Sequence, residues 1–178
     1  MTNAASSSDP TLVTGLFRDG KSAELGYQAV SQRGYDTAEI NVVMSDDTRT
    51  RYFSGDRQID TDMGSKAAEG GELGGPTGGR IGMLLPVLVA GAVLALPGLG
   101  LILAGPIAVA LAGAGAAGVA VGLMGALSDW GIPEERVQQY EAGIKDGGVL
   151  MGVKARSDED ARHFVQQWKA SGGQHVHS

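Results

Sequence analysis

The sequence predicts an α+β fold interrupted by an apolar insertion, and three observations carry that prediction. Short β-branched runs alternate with amphipathic helical runs in two separate places, residues 11–44 and 129–178. The two places match one another weakly but in order, as a degenerate internal repeat. Between them, residues 81–128 carry no charged side chain, although the chain holds 14 basic and 20 acidic residues and a net charge of -6.

Residues 1–10 are small and polar and read as a disordered N-terminus. They lack the basic and apolar regions of a secretory signal, so the polar parts are expected in the cytoplasm. Residues 12–17 (LVTGLF) form the first strand, closed by the turn residues Arg18, Asp19 and Gly20. Residues 21–33 follow as a helix. Ala23, Tyr27 and Val30 make its apolar stripe, and Gly34 stands just beyond its end. Residues 39–44 (EINVVM) are the second strand, which completes a β-α-β unit. Residues 45–63 are polar and residues 64–80 are rich in glycine, so 45–80 reads as linker.

After the uncharged run the plan returns. Pro133 suits a helix start, Glu134 and Glu135 complement the positive end of the helix dipole, and Lys145 and Gly147 suit its end. Tyr140 and Ile144 give that helix an apolar face. Residues 148–155 form a strand, and Ser157 and Asp160 stand at capping-box spacing. Ala161, Phe164, Val165 and Trp168 then make a helical stripe ahead of Gly172, and residues 174–177 make a short last strand. In the repeat, Gly15 aligns with Gly152, Ala23 with Ala161, Val30 with Trp168 and Gly34 with Gly172. Two such halves predict a small antiparallel sheet with helices on one face, in the ferredoxin-like arrangement. Its open edge would invite pairing with another copy.

The uncharged run sets the architecture. As one helix, residues 81–128 would measure about 72 Å, more than twice the hydrocarbon thickness of about 30 Å, so the chain must turn back. The turn is expected at Pro97, Gly98 and Gly100, with a second break at Gly105 and Pro106. The result is an apolar helical hairpin with arms 81–96 and 107–128. On the second arm, Ala110, Ala114, Gly118, Gly122 and Ala126 recur every four residues, the spacing of a glycine zipper through which helices self-associate. The hairpin therefore reads as a membrane-contacting element, with a protein-enclosed oligomer core as the alternative.

Residues 13–44 (VTGLFRDGKSAELGYQAVSQRGYDTAEINVVM), 96–118 (LPGLGLILAGPIAVALAGAGAAG) and 131–155 (GIPEERVQQYEAGIKDGGVLMGVKA) together resemble the bacterial general stress or low-temperature-induced proteins with a heat-induced-stress-type domain. The resemblance implies a stress-linked, non-enzymatic protein whose α/β module is interrupted by a Gly-rich apolar segment. It brings no catalytic residues with it.

Chemistry is otherwise sparse. An acidic chain without a Lys/Arg stripe offers little counterion release, which argues against a nucleic-acid partner. The absence of cysteine removes thiolate metal sites and thiol nucleophiles. Residues 74–80 (GGPTGGR) lack the Lys and Ser/Thr of a phosphate loop, and no Rossmann glycine pattern follows a strand. His175 and His177 alternate on the last strand without a third ligand, and the Asp46, Asp47, Asp56, Asp60 and Asp62 clusters lack calcium-loop spacing, so neither metal nor cofactor is expected. Trp130 reads as an interfacial anchor or as packing under the module, and Trp168 as core. The expected function is a self-assembling stress protein at the inner face of the cytoplasmic membrane, a homo-oligomer in contact with the lipid bilayer. The alternatives are a soluble assembly with buried hairpins and a small-molecule-sensing module tethered by the hairpin.

Overall fold

The computed structural model describes residues 10–53, 93–96, 100–113, 125, 127–128 and 131–178. In chain order the elements are β1 (Thr11–Phe17), α1 (Gly20–Ser31), β2 (Ile40–Ser45), α2 (Asp46–Phe53), β3 (Val93–Leu96), β4 (Leu101–Ala104), α3 (Pro106–Gly113), α4 (Glu134–Lys145), β5 (Val149–Ala155), α5 (Asp158–Ala170) and β6 (Gln174–His177). A 3-10 turn, Thr37–Glu39, leads into β2. The strands form one antiparallel sheet in the order β3-β4-β2-β5-β1-β6. The fold is thus mixed α+β.

Alternation along the strands divides the core in two. Val13 and Phe17 of β1, Ile40, Val42 and Met44 of β2, and Val149, Met151 and Val153 of β5 face α1 and α5. Leu16, Val43, Leu103 and Leu150 face the other way, against α3 and α4. The two crossover helices share one face, as the sequence predicts, but the sheet is covered on both. This corrects the expectation of helices on one face only. It also explains why residues 40–44 are buried without a break: a strand covered on both sides has no polar face to show.

Helix ends follow their local chemistry. Asp19 caps α1 by accepting from the Ser22 N–H at 2.8 Å, and Ser157 caps α5 by accepting from the Asp160 N–H at 3.2 Å. Beyond α1 and α5, Gly34 and Gly172 take positive φ values of 76° and 87°. The positions aligned in the sequence are alike in burial: Ala23 and Ala161 are buried, as are Val30 and Trp168.

Two expectations are overturned. Residues 46–53, expected as linker, form α2. The Ser45 hydroxyl accepts from the Thr48 N–H at 3.1 Å, Asp46 and Asp47 fill the first turn, and Tyr52 packs against the first core. The arm expected at 81–96 is corrected at its described end: Val93–Leu96 is a strand, paired antiparallel with Leu101–Ala104, a strand between the two expected breaks that pairs in turn with β2, whereas the described start of the arm expected at 107–128 lies in the helix Pro106–Gly113. An uncharged run gives no periodicity that separates a buried strand from a buried helix. Here the outer side of β2 accepts the chain as sheet. Gly100, at φ 62°, lies in the reversal between β3 and β4, and its carbonyl accepts from the Asp46 N–H at 2.9 Å. Gly105, at φ 90°, ends β4, and Pro106 opens α3. Pro97 and Gly98 lie outside the described residues, as does most of the arm expected at 81–96.

Candidate functional site

Three places join side chains from distant parts of the sequence. The first pins the apolar segment to the sheet. Asn41 is buried in β2, where its side-chain amide donates to the Gly152 carbonyl at 3.2 Å and its oxygen accepts from the Ile107 N–H at 2.7 Å. That N–H belongs to the first turn of α3 and has no partner within the helix, so Asn41 caps α3 from inside the sheet. Ile107, Ala108 and Leu111 face the second core, while Val109 is 58% exposed and Ala110 lies on the same open side. Of the residues expected to self-associate, Ala110 is placed there; Ala114, Gly118, Gly122 and Ala126 lie outside the described residues. Among the described residues, no helix is long and apolar enough to cross a membrane.

The second place is a polar latch between the halves. The Tyr35 hydroxyl donates to Asp160 at 2.8 Å and accepts from the Arg156 N–H at 2.7 Å, while the Arg156 guanidinium lies 4.2 Å over the Tyr35 ring. Arg156 also reaches Glu39 at 2.6 Å and 3.2 Å through two nitrogens. Burial pushes the Tyr35 phenol above its ordinary pKa, and the Arg156 hydrogen bonds pull the Glu39 carboxyl below its own. With its oxygen already donating and accepting, Tyr35 ties the loop after α1 to the first turn of α5 and the residues before it.

The third place is a groove beside β6. Between Thr14 and Leu16 of β1, strand β6 passes from His177 to Gln174, one residue too many, so the ladder bulges. His175 takes φ 48°, the one positive φ outside glycine among the described residues. The bulge leaves the His175 carbonyl outside the ladder, and the Tyr140 hydroxyl donates to it at 2.8 Å while lying 2.8 Å from the Thr14 hydroxyl. Burial raises the Tyr140 pKa, which keeps its proton in place. Beside this bulge opens a groove of about 500 Å³, lined by the apolar Leu16, Ala142 and Gly143 and by the polar Arg18, Gln139, Asp146, Gln174 and His175.

His177 sits on the same strand. Burial holds its imidazole below the ordinary histidine range, helped by the positive charge of Arg136 and by His175 and Lys169. The folded state therefore favours the neutral ring and the unfolded chain binds the proton more readily. The stability this group contributes is fully present above the ordinary histidine pKa of about 6.5 and is lost as pH falls below it toward the folded pKa. Urea midpoints should decline on acidification from about pH 7.5 to pH 5, and His177→Gln should flatten that part of the profile.

Among the described residues no three His, Cys, Asp or Glu side chains gather as a metal set. The bulge breaks the simple alternation that would set His175 and His177 side by side. Asn41, the Tyr140–Thr14 pair and the groove were not singled out by sequence reasoning. Only Asn41 carried a signal there, a lone amide within an apolar strand. Compared with known proteins, the chain matches no family model, no curated protein and no solved structure.

Proposed function

We propose that this chain is a non-enzymatic structural protein of a stress response that self-associates through its uncharged segment, residues 81–128. The observation that carries the reading is α3. Every residue in Pro106–Gly113 is apolar, yet the helix buries only Ile107, Ala108 and Leu111 and leaves Val109 open. A helix that is apolar all round calls for cover on all sides, and a second copy offers a matching surface. The zipper spacing of Ala110, Ala114, Gly118, Gly122 and Ala126 supports close approach between copies.

On this reading β1, α1, β2, β5, α5 and β6 form a ferredoxin-like unit, supported by the order β2-β5-β1-β6 and by the two crossover helices on one face. Strands β3 and β4 extend it at the β2 edge. No cofactor and no nucleic acid enter the proposal. Contact with the inner face of the cytoplasmic membrane is a second reading, favoured by the uncharged length of residues 81–128 and by Trp130 just beyond it.

Light scattering of the full chain in detergent-free buffer, beside carbonate-washed membrane fractionation, separates the two. A large soluble particle supports assembly between copies, whereas carbonate-resistant pelleting supports the bilayer. Replacing Gly118 and Gly122 together by Leu should reduce or alter the particle. A monomer in buffer that also stays out of the membrane pellet would overturn both.

A further inference from the structure

We infer that the groove beside β6 is a binding site for a small zwitterion, a molecule with one carboxylate and one cationic centre of free amino acid size. The inference is independent of self-assembly through residues 81–128. Its volume of about 500 Å³ lies within the range of small-molecule sites. Three further observations converge on it.

The first is charge. Arg18 and Asp146 both line the groove, and among the described residues neither belongs to an ion pair. Arg18 donates through its Nε to the Gln174 side-chain oxygen at 2.9 Å. That bond orients the guanidinium, and among the described residues neither Nη group has an acceptor, which leaves a fork suited to a carboxylate. Asp146 caps α4 with its backbone, so its carboxylate remains an acceptor for a cation. Two opposite charges that do not neutralise one another, set on one groove, match a ligand carrying both signs.

The second is the apolar part of the lining. Leu16 is buried, and Gly143 lies so close that a Cβ there would overlap the Leu16 side chain. With the exposed Ala142 they give the groove an apolar part of its lining, suited to a short aliphatic body. The third is strain. His175 lines the groove in the left-handed region, which L-residues adopt at a cost, and a buried tyrosine holds it there by its carbonyl. Outliers of this kind collect at ligand clamps because the surrounding contacts over-determine them. The wall is thus set before a ligand arrives, which lowers the ordering cost of binding.

Ligand-observed saturation-transfer NMR on the full chain tests the inference in any assembly state. The probes are glycine, β-alanine and γ-aminobutyrate, whose charges lie progressively further apart, with acetate and methylammonium as single-charge controls. One member of the zwitterion series should bind best, and both controls about tenfold more weakly. Arg18→Gln and Asp146→Asn, both at exposed positions, should each weaken that zwitterion about tenfold while leaving the thermal midpoint near that of the parent chain. The inference is overturned by an absence of saturation transfer for all three zwitterions at millimolar concentration. It is equally overturned if the controls bind as well as the zwitterions, or if neither substitution changes the binding.

Discussion

Trp168→Ala should cost about 4 kcal/mol of stability, a large share of what a domain of this size has. The side chain is fully buried where the two halves meet. It packs edge-on against Phe17 at 5.7 Å between ring centres, stacks on Phe164 at 6.5 Å, and donates its indole N–H to the Gly26 carbonyl at 2.9 Å. Truncation would leave a cavity between α1, α5 and β1 and remove the second hydrogen bond of a carbonyl that the ladder of α1 already serves. Trp168→Phe keeps an aromatic ring and loses the hydrogen bond, so it should cost roughly half as much. A coupled measurement makes the argument stricter. A Cβ added at Gly15 would come within 2.9 Å of the indole, so Gly15→Ala should destabilise the parent chain. In the Trp168→Ala background the same methyl enters vacated space, and its effect should fall toward zero or turn favourable. Urea denaturation followed by circular dichroism measures all four corners of that cycle; strictly additive costs would mean that the cavity collapses.

What the sequence made legible follows from how local each signal is. The strands at 11–17 and 40–45 and helix α1 between them are bounded by Asp19, Gly20 and Gly34, residues whose turn and cap chemistry acts within a few positions. Helix α5 was readable for the same reason, from Ser157 to Gly172, with Phe164 and Trp168 one turn apart. Helix α2 was missed because the sequence DDTRTRYF has almost no apolar stripe. Its cap, Ser45 to Thr48, was nevertheless present to be read. The strands β3 and β4 were hidden for another reason: in VLAL and LILA every position is apolar, and the choice of sheet over helix is made by β2, a partner far away in sequence. The groove was hidden in the same way. Arg18 follows β1 and Asp146 ends α4, and only the packing of α4 on the sheet brings their side chains to one opening. No spacing rule could join them.

Gly105→Ala should release the apolar segment from the sheet, at a cost of about 3 kcal/mol or more. The backbone there has φ 90°, a conformation that a Cβ disfavours, and the added methyl would overlap the Ile40 carbonyl oxygen and lie 3.2 Å from the Asn41 Cα. Neither neighbour is the flexible end of a side chain; both are backbone of β2, held on its other side by β5. The chain at Gly105 must therefore move. Moving it breaks the 2.7 Å bond from the Ile107 N–H to Asn41 and disturbs the pairing of Ala104 with Val42. Native-state hydrogen exchange reads the result strand by strand. Protection should fall in Leu101–Ala104 and along the β4 side of β2, while the amides joining β1 to β5 keep theirs. That pattern would make the apolar segment a separable layer on a self-sufficient α+β unit, the arrangement that self-association through residues 81–128 requires if the segment is to exchange its own sheet for another copy. Uniform loss of protection would instead make β3, β4 and α3 part of one cooperative core, and association would then have to proceed through the open face at Val109 and Ala110 with the segment in place.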